Sequence, residues 1–106
     1  MQNLTIMNLF DLPKIELHLH LEGAAKPKLV KDLAIKKNID VSNIFDRNGF
    51  YNFRDFKDFL SVYEIATSVL QTPDDFYNLT TSALEECRKN NIIYVEFFLS
   101  PQFCGG

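Results

Sequence analysis

His18, His20 and Glu22 occupy alternate positions in the segment Lys14 to Glu22, K-I-E-L-H-L-H-L-E. In a strand, residues i and i+2 project from the same face with Cα atoms about 6.5–7 Å apart. His18 and His20 can therefore converge their imidazoles on one ion at the strand's end. Imidazole is a good zinc ligand, and a catalytic zinc takes about three protein ligands plus a water. Glu22 continues the polar face toward the C-terminal end, where α/β barrels place their chemistry. The plainer alternative is two solvent-facing histidines on a half-exposed edge strand. A parallel strand covered on both faces would instead put Glu16, His18, His20 and Glu22 on one interior face. Four inward ionisable groups are too costly unless paired or metal-bound.

The elements that must position these residues follow from periodicity. Ile15, Leu17, Leu19 and Leu21 alternate with the polar set, which predicts a strand over Lys14 to Glu22, and Gly23 supplies a tight departure. Pro27 suits a first helical position, and Leu29, Val30, Leu33 and Ala34 form an apolar stripe on a helix reaching about Lys37. Residues 38–52 are turn-rich, with Asn48-Gly49 a loop signal. A second helix is expected from Phe53 to Leu70, where Phe56, Phe59, Leu60 and Tyr63 follow the i, i+3, i+4, i+7 template and Ala66 and Leu70 extend it. Thr72 is the N-cap of a third helix, with Pro73 at its first position and Asp74 and Asp75 at its positive end. Phe76, Leu79, Ala83 and Cys87 carry its buried side, and Lys89-Asn90-Asn91 closes it. A second strand, Ile92 to Leu99, is apolar almost throughout and stops at Ser100-Pro101. Strand, helices, strand is the order of a parallel crossover. A two-stranded parallel sheet needs more strands around it, so the pattern reads as the opening of a larger α/β protein.

Composition narrows the function classes. The 106 residues are 46% hydrophobic and 24% charged with four glycines and four prolines, which excludes disordered and collagen-like chains. A net charge of −3 with no basic block argues against nucleic acid or an anionic membrane as partner. No stretch approaches the ~18 apolar residues of a membrane span, and Met1 to Leu12 lacks signal-peptide features. Cys87 and Cys104 form no CxxC pair, so a reduced, cytoplasmic setting is expected, with Cys87 a small hydrophobe in a helix. Ten Phe and four Tyr are more apolar surface than a lone small domain readily buries.

His20-Leu21-Glu22 matches the H-x-E half of the cytidine-deaminase-type zinc signature, but Pro101-Gln102-Phe103-Cys104 does not supply the P-C-x-x-C half. Another family fits. Leu12 to Ala24, L-P-K-I-E-L-H-L-H-L-E-G-A, resembles the P-K-x-E-L-H-x-H-L-[DE]-G-[AST] opening of the adenosine deaminase family. Tyr94 to Pro101, Y-V-E-F-F-L-S-P, resembles that family's Y-V-E-x-x-x-S-P block, and Phe59-Leu60-Ser61-Val62-Tyr63 falls where it has F-L-x-x-[FY]. The resemblance implies an α/β fold: the N-terminal part of a (β/α)8 TIM barrel, its first two strands with about three intervening helices. Residues 1–106 would be one incomplete portion of a single barrel domain.

The resemblance also implies roles. His18 and His20 would be ligands to one zinc ion per site, with His20 also against the substrate. Glu22 aligns with an acidic residue that contacts the sugar of a nucleoside, Gly23 lets the backbone pass close to the site, and Phe56, Phe59, Leu60 and Tyr63 match a helix that gates the purine pocket. A Phe/Leu stripe at this spacing is also what a core-facing helix shows. Phe50, Tyr51 and Phe53 read as anchors of the Asn48-Gly49 loop. Glu96 reads as a buried barrel carboxylate with a structural partner, and Lys14 and Glu16 lie at the stability end of the strand. Lys26, Lys28, Lys31, Lys36 and Lys37 read as a solvated helix face. The implied reaction is zinc-dependent hydrolytic deamination at C6 of adenosine or deoxyadenosine, with a small-molecule purine as partner. Adenine or another purine derivative is the alternative substrate: Glu22 and the Thr72-x-x-Asp75-Phe76-Tyr77 segment lean that way, Ser100-Pro101 and Gly23-Ala24 toward adenosine. A non-catalytic paralogue that binds a partner through its aromatic surface is the alternative of another class. The family's remaining ligands, its general-acid Glu and its water-orienting His and Asp fall beyond Gly106. Both histidines are already used, so the 106-residue chain alone is expected to be inactive.

Overall fold

Lys14–His20 (β1) and Ile92–Phe98 (β2) pair in parallel in a computed structural model of the chain, which describes residues 8–103. Cys104 lies outside those residues. Between the strands run Pro27–Lys37 (α1), Phe56–Thr67 (α2) and Pro73–Lys89 (α3), with short 3-10 turns at Glu22–Ala24 and Ser42–Ile44. The crossover order expected from the sequence is therefore the observed one. At the start of the sheet, the Lys14 ammonium donates to the Leu12 and Asn90 carbonyls at 2.8 and 2.6 Å. Asn91, in the left-handed region at φ 56°, donates from its side chain to the Asp11 carbonyl at 2.7 Å. These contacts tie both strands together at the stability end.

The helix boundaries follow from their caps. α1 stops where Asn38 takes the left-handed conformation (φ 57°, ψ 46°) and its N–H closes on the Ala34 and Ile35 carbonyls. α2 is shorter than the expected span from Phe53 to Leu70. Asp55 is its N-cap, accepting the Asp58 N–H at 2.8 Å, so Phe53 stays outside the helix. Past Thr67 the chain leaves the helix with Val69 and Leu70 fully buried. α3 opens on a reciprocal capping box between Thr72 and Asp75.

The core lies among the helices. Val30 and Ala34 of α1, Val62 and Ala66 of α2, and Leu79 of α3 pack with Val41, Ile44, Val69 and Leu70. Cys87 is buried as expected, and burial raises its thiol pKa. The sheet differs from expectation: Ile15, Leu17, Ile93 and Tyr94 are each more than half exposed, so neither face is fully covered among the described residues. Glu96 accordingly is exposed and accepts the Tyr94 hydroxyl at 2.7 Å, rather than being a buried carboxylate.

Two lysines depart from the solvated-face reading. Lys31 sits 4.4 Å above the Phe45 ring and donates to the Gly49 carbonyl at 3.3 Å. Lys37 is half of an ion pair with Asp75, their side chains only 14% and 6% exposed, and it also donates to the Val69 carbonyl at 2.7 Å. Its ammonium thus reaches from the last turn of α1 to the Val69 carbonyl and to Asp75 in the first turn of α3. Lys26 and Lys28 do lie on the surface, paired with Glu86 and Asp32.

Candidate active site

β1 ends at His20, two residues before the alternation of its sequence does, because Leu21 turns into the helical region (φ −59°, ψ −49°). The turn that follows takes Glu22 off the polar strand face and under the end of β2, where it is 2% exposed. There Glu22 Oε1 accepts the Ser100 N–H at 3.1 Å. Glu22 Oε2 is buried with no hydrogen-bond partner among the described residues. A buried carboxylate oxygen left unmet is costly and marks a place where a donor is wanted.

The two histidines are exposed rather than interior. Their Nε2 atoms nevertheless face each other at 3.3 Å. Two nitrogens on one tetrahedral zinc ion, each about 2.0–2.1 Å from it, lie roughly 3.3–3.4 Å apart. The donor pair thus fits such an ion; the same spacing also suits an N–H···N bond between two neutral rings. Among the described residues no group of three or more His, Cys, Asp and Glu side chains is placed to hold a metal.

A cavity of about 520 Å³ opens at this end of β1. His18, His20, Glu22, Gly23, Phe56, Phe59, Leu60 and Tyr63 all line it. The aromatic stripe of α2 faces this cavity, and Val62 and Ala66 on the adjoining stripe both line it and belong to the core. Phe59 joins the rings: Phe53 meets it edge-on at 5.1 Å, Phe56 stacks at 6.2 Å, and Tyr63 tilts at 5.9 Å. Gly23 leaves room for Tyr63, since a Cβ there would come within 3.2 Å of the Tyr63 ring.

Sequence reasoning missed some of the wall. Tyr51, Phe53, Thr67 and Ser100 also line the cavity. Tyr51 stacks on Phe45 at 5.2 Å and donates its hydroxyl to the Ala25 carbonyl at 2.7 Å. Burial pushes its phenol up to about 12, so it stays a neutral donor at physiological pH. It anchors its loop, as expected, but across the cavity floor. Phe50, by contrast, is 66% exposed and holds the turn through its backbone, which bonds Asp46, rather than as a hydrophobic anchor. Aromatics flanking the Asn48-Gly49 turn, on the strand-end side of the fold, were the available signal for Tyr51 and Phe53.

Known proteins resemble this chain in sequence and in fold. The adenine deaminase of Vibrio parahaemolyticus is 43% identical over 100 residues, covering 91% of this chain and 30% of that protein. The adenine deaminase of Psychrobacter cryohalolentis is 43% identical over 93 residues, 86% of this chain and 28% of that protein. Among solved structures, the adenine deaminase of Arthrobacter aurescens superposes with a TM-score of 0.72 at 31% identity, over 86% of this chain and 28% of that one. An Arabidopsis N6-mAMP deaminase shares the fold with a TM-score of 0.71 at 24% identity, over 88% of this chain and 29% of that one. The chain thus spans under a third of the length of these relatives and has the fold of the N-terminal part of their TIM barrels. The sequence profile described as "Adenosine deaminase" matches residues 13–105. With 93 consecutive positions of 106 inside that profile, the chain belongs to the adenosine deaminase family.

Proposed function

We propose that this chain is the N-terminal portion of a single barrel domain and supplies part of the active site of a zinc-dependent deaminase acting on adenine. The observation that carries the reading is the meeting of the His18 and His20 Nε2 atoms at the edge of an aromatic cavity that also holds one half-satisfied buried carboxylate. His18 and His20 hold the zinc, and the further ligands come from outside residues 8–103. When bound there, zinc lowers the pKa of a water so that hydroxide is available near neutral pH for attack at C6.

The chain's own residues do the rest. Phe53, Phe56, Phe59 and Tyr63 offer ring faces to a flat purine and exclude water around it. Ser100 holds one oxygen of Glu22, which keeps the carboxylate from swinging, and the other oxygen accepts a substrate N–H. Adenine offers the N–H of its five-membered ring, which the sugar blocks in adenosine. Together with the adenine deaminases at 43% identity, this supports adenine over the adenosine first expected from the motifs.

Ammonia release from adenine, adenosine and deoxyadenosine by the zinc-loaded full-length protein tests the reading. Adenine is expected to lead in kcat/KM by at least about 10²-fold, because a site built to bond an N–H rejects analogues lacking it. A lead for adenosine would return the substrate to the nucleoside, and no turnover of any purine would favour a non-catalytic binding role.

Glu22→Gln gives a second expected outcome. It removes a hydrogen bond to a charged acceptor, worth about 1.5–3 kcal/mol. KM for adenine should therefore rise roughly 10- to 100-fold. The melting temperature should not fall, since the variant also removes the charge of a buried carboxylate whose Oε2 has no hydrogen-bond partner among the described residues. Steady-state kinetics and a thermal melt on the same preparation check both halves.

A further inference from the structure

Phe98 lies face to face with His18, its ring centroid 4.2 Å away and the planes 22° apart. It is the register partner of His20, whose ring it meets at 6.0 Å and 40°. Being 42% exposed, Phe98 is not held in place by the core. A ring nitrogen's lone pair lies in the ring plane, so the plane of an imidazole decides where a metal can sit. The final torsion of a histidine side chain is broad and does not select that plane by itself. Metal-binding histidines are ordinarily oriented by a hydrogen bond from the second ring nitrogen to a carboxylate or carbonyl. Among the described residues no such acceptor reaches His18; the Phe98 ring lies against it instead.

We propose that Phe98 is a positioning residue that sets the plane of the His18 imidazole, so that its Nε2 meets that of His20 at the metal position. This rests on the reading of the two histidines as metal ligands. Phe98 covers one face of the His18 ring, while the ring's Nε2 faces His20. Metal binding draws electron density from the imidazole, and the negative face of a phenyl ring favours an electron-poor partner, so the stack tightens when the ion is present.

The test is titration of the metal-free full-length protein with cobalt(II), following its visible absorption bands, for wild type, Phe98→Leu, Phe98→Tyr and His18→Ala. Leu keeps most of the volume without a ring, and Tyr keeps the ring. Phe98→Leu should weaken cobalt binding about tenfold or more and shift the bands, as loss of an orienting partner does, while Phe98→Tyr stays within about twofold of wild type. Equal affinity and spectrum for Phe98→Leu and wild type would overturn the proposal, as would equal weakening in the Leu and Tyr variants. Unchanged binding in His18→Ala, or no binding by wild type, would overturn the metal-pair reading itself and this proposal with it.

Discussion

On the proposed zinc reading, His18→Ala and His20→Ala, made separately in the full-length protein, should each lower adenine deamination by at least about 10³-fold, because the water would lose the ion that brings its pKa toward neutrality. The bound zinc should fall in parallel, as read by metal analysis of the purified proteins. Stability should barely change: both residues are exposed, their ring neighbours among the described residues are each other and the 42% exposed Phe98, and surface substitutions usually stay within about 0.5 kcal/mol. That split is what separates the two meanings of the 3.3 Å contact. If the rings were only hydrogen-bonded to each other, either substitution would leave metal content and turnover near wild type.

Asp75→Ala should produce the largest loss of stability, about 3–5 kcal/mol, through a different mechanism. The substitution strands the Lys37 ammonium in a site where it is 14% exposed. It also takes away the acceptor of the Gln71 and Thr72 N–H groups, both at 2.9 Å, and so removes one half of the capping box of α3. Thermal unfolding of the full-length protein checks it, and Lys37→Met should cost less, since the carboxylate keeps its N–H donors. The same site carries a pH dependence. Burial pushes the Asp75 carboxyl up, but the Lys37 ammonium, the Gln71 and Thr72 N–H groups and the Thr72 hydroxyl outweigh it and bring it from 3.8 down to about 2. A depressed acid pKa stabilises the fold above the unfolded value. The contribution is complete above about pH 4 and is lost as pH falls toward about 2. A melting temperature that declined equally steeply in Asp75→Ala and wild type over that interval would contradict the assignment.

The parts legible in the sequence were those set by local chemistry. β1 announced itself through nine alternating positions, α1 through Pro27 and its apolar stripe, and α3 through Thr72, Pro73 and two aspartates. The place of Glu22 was not legible, because the alternation runs through it unbroken while the backbone turns at Leu21. Lys37 could not be told from its solvated neighbours, since its partner Asp75 stands 38 residues away. On α2 the stripe Phe56, Phe59, Leu60 and Tyr63 has the spacing of a core face and yet lines the cavity. Val62 and Ala66 of the same helix belong to the core and line the cavity as well, so periodicity alone cannot divide the two roles. Tyr51 and Phe53 sit in an irregular segment where periodicity carries no information. The exposed faces of the sheet, with Ile15, Leu17 and Ile93 open, agree with a chain that spans under a third of its relatives.

The central claim is that the histidine pair at the end of β1 is part of a zinc centre beside a purine-sized cavity. Crystals of the full-length protein, measured on both sides of the zinc absorption edge, test it most directly. A zinc centre there gives one anomalous peak per protein chain, within bonding distance of both the His18 and His20 Nε2 atoms. A peak bonded to neither histidine, or none in protein that deaminates adenine, would contradict it.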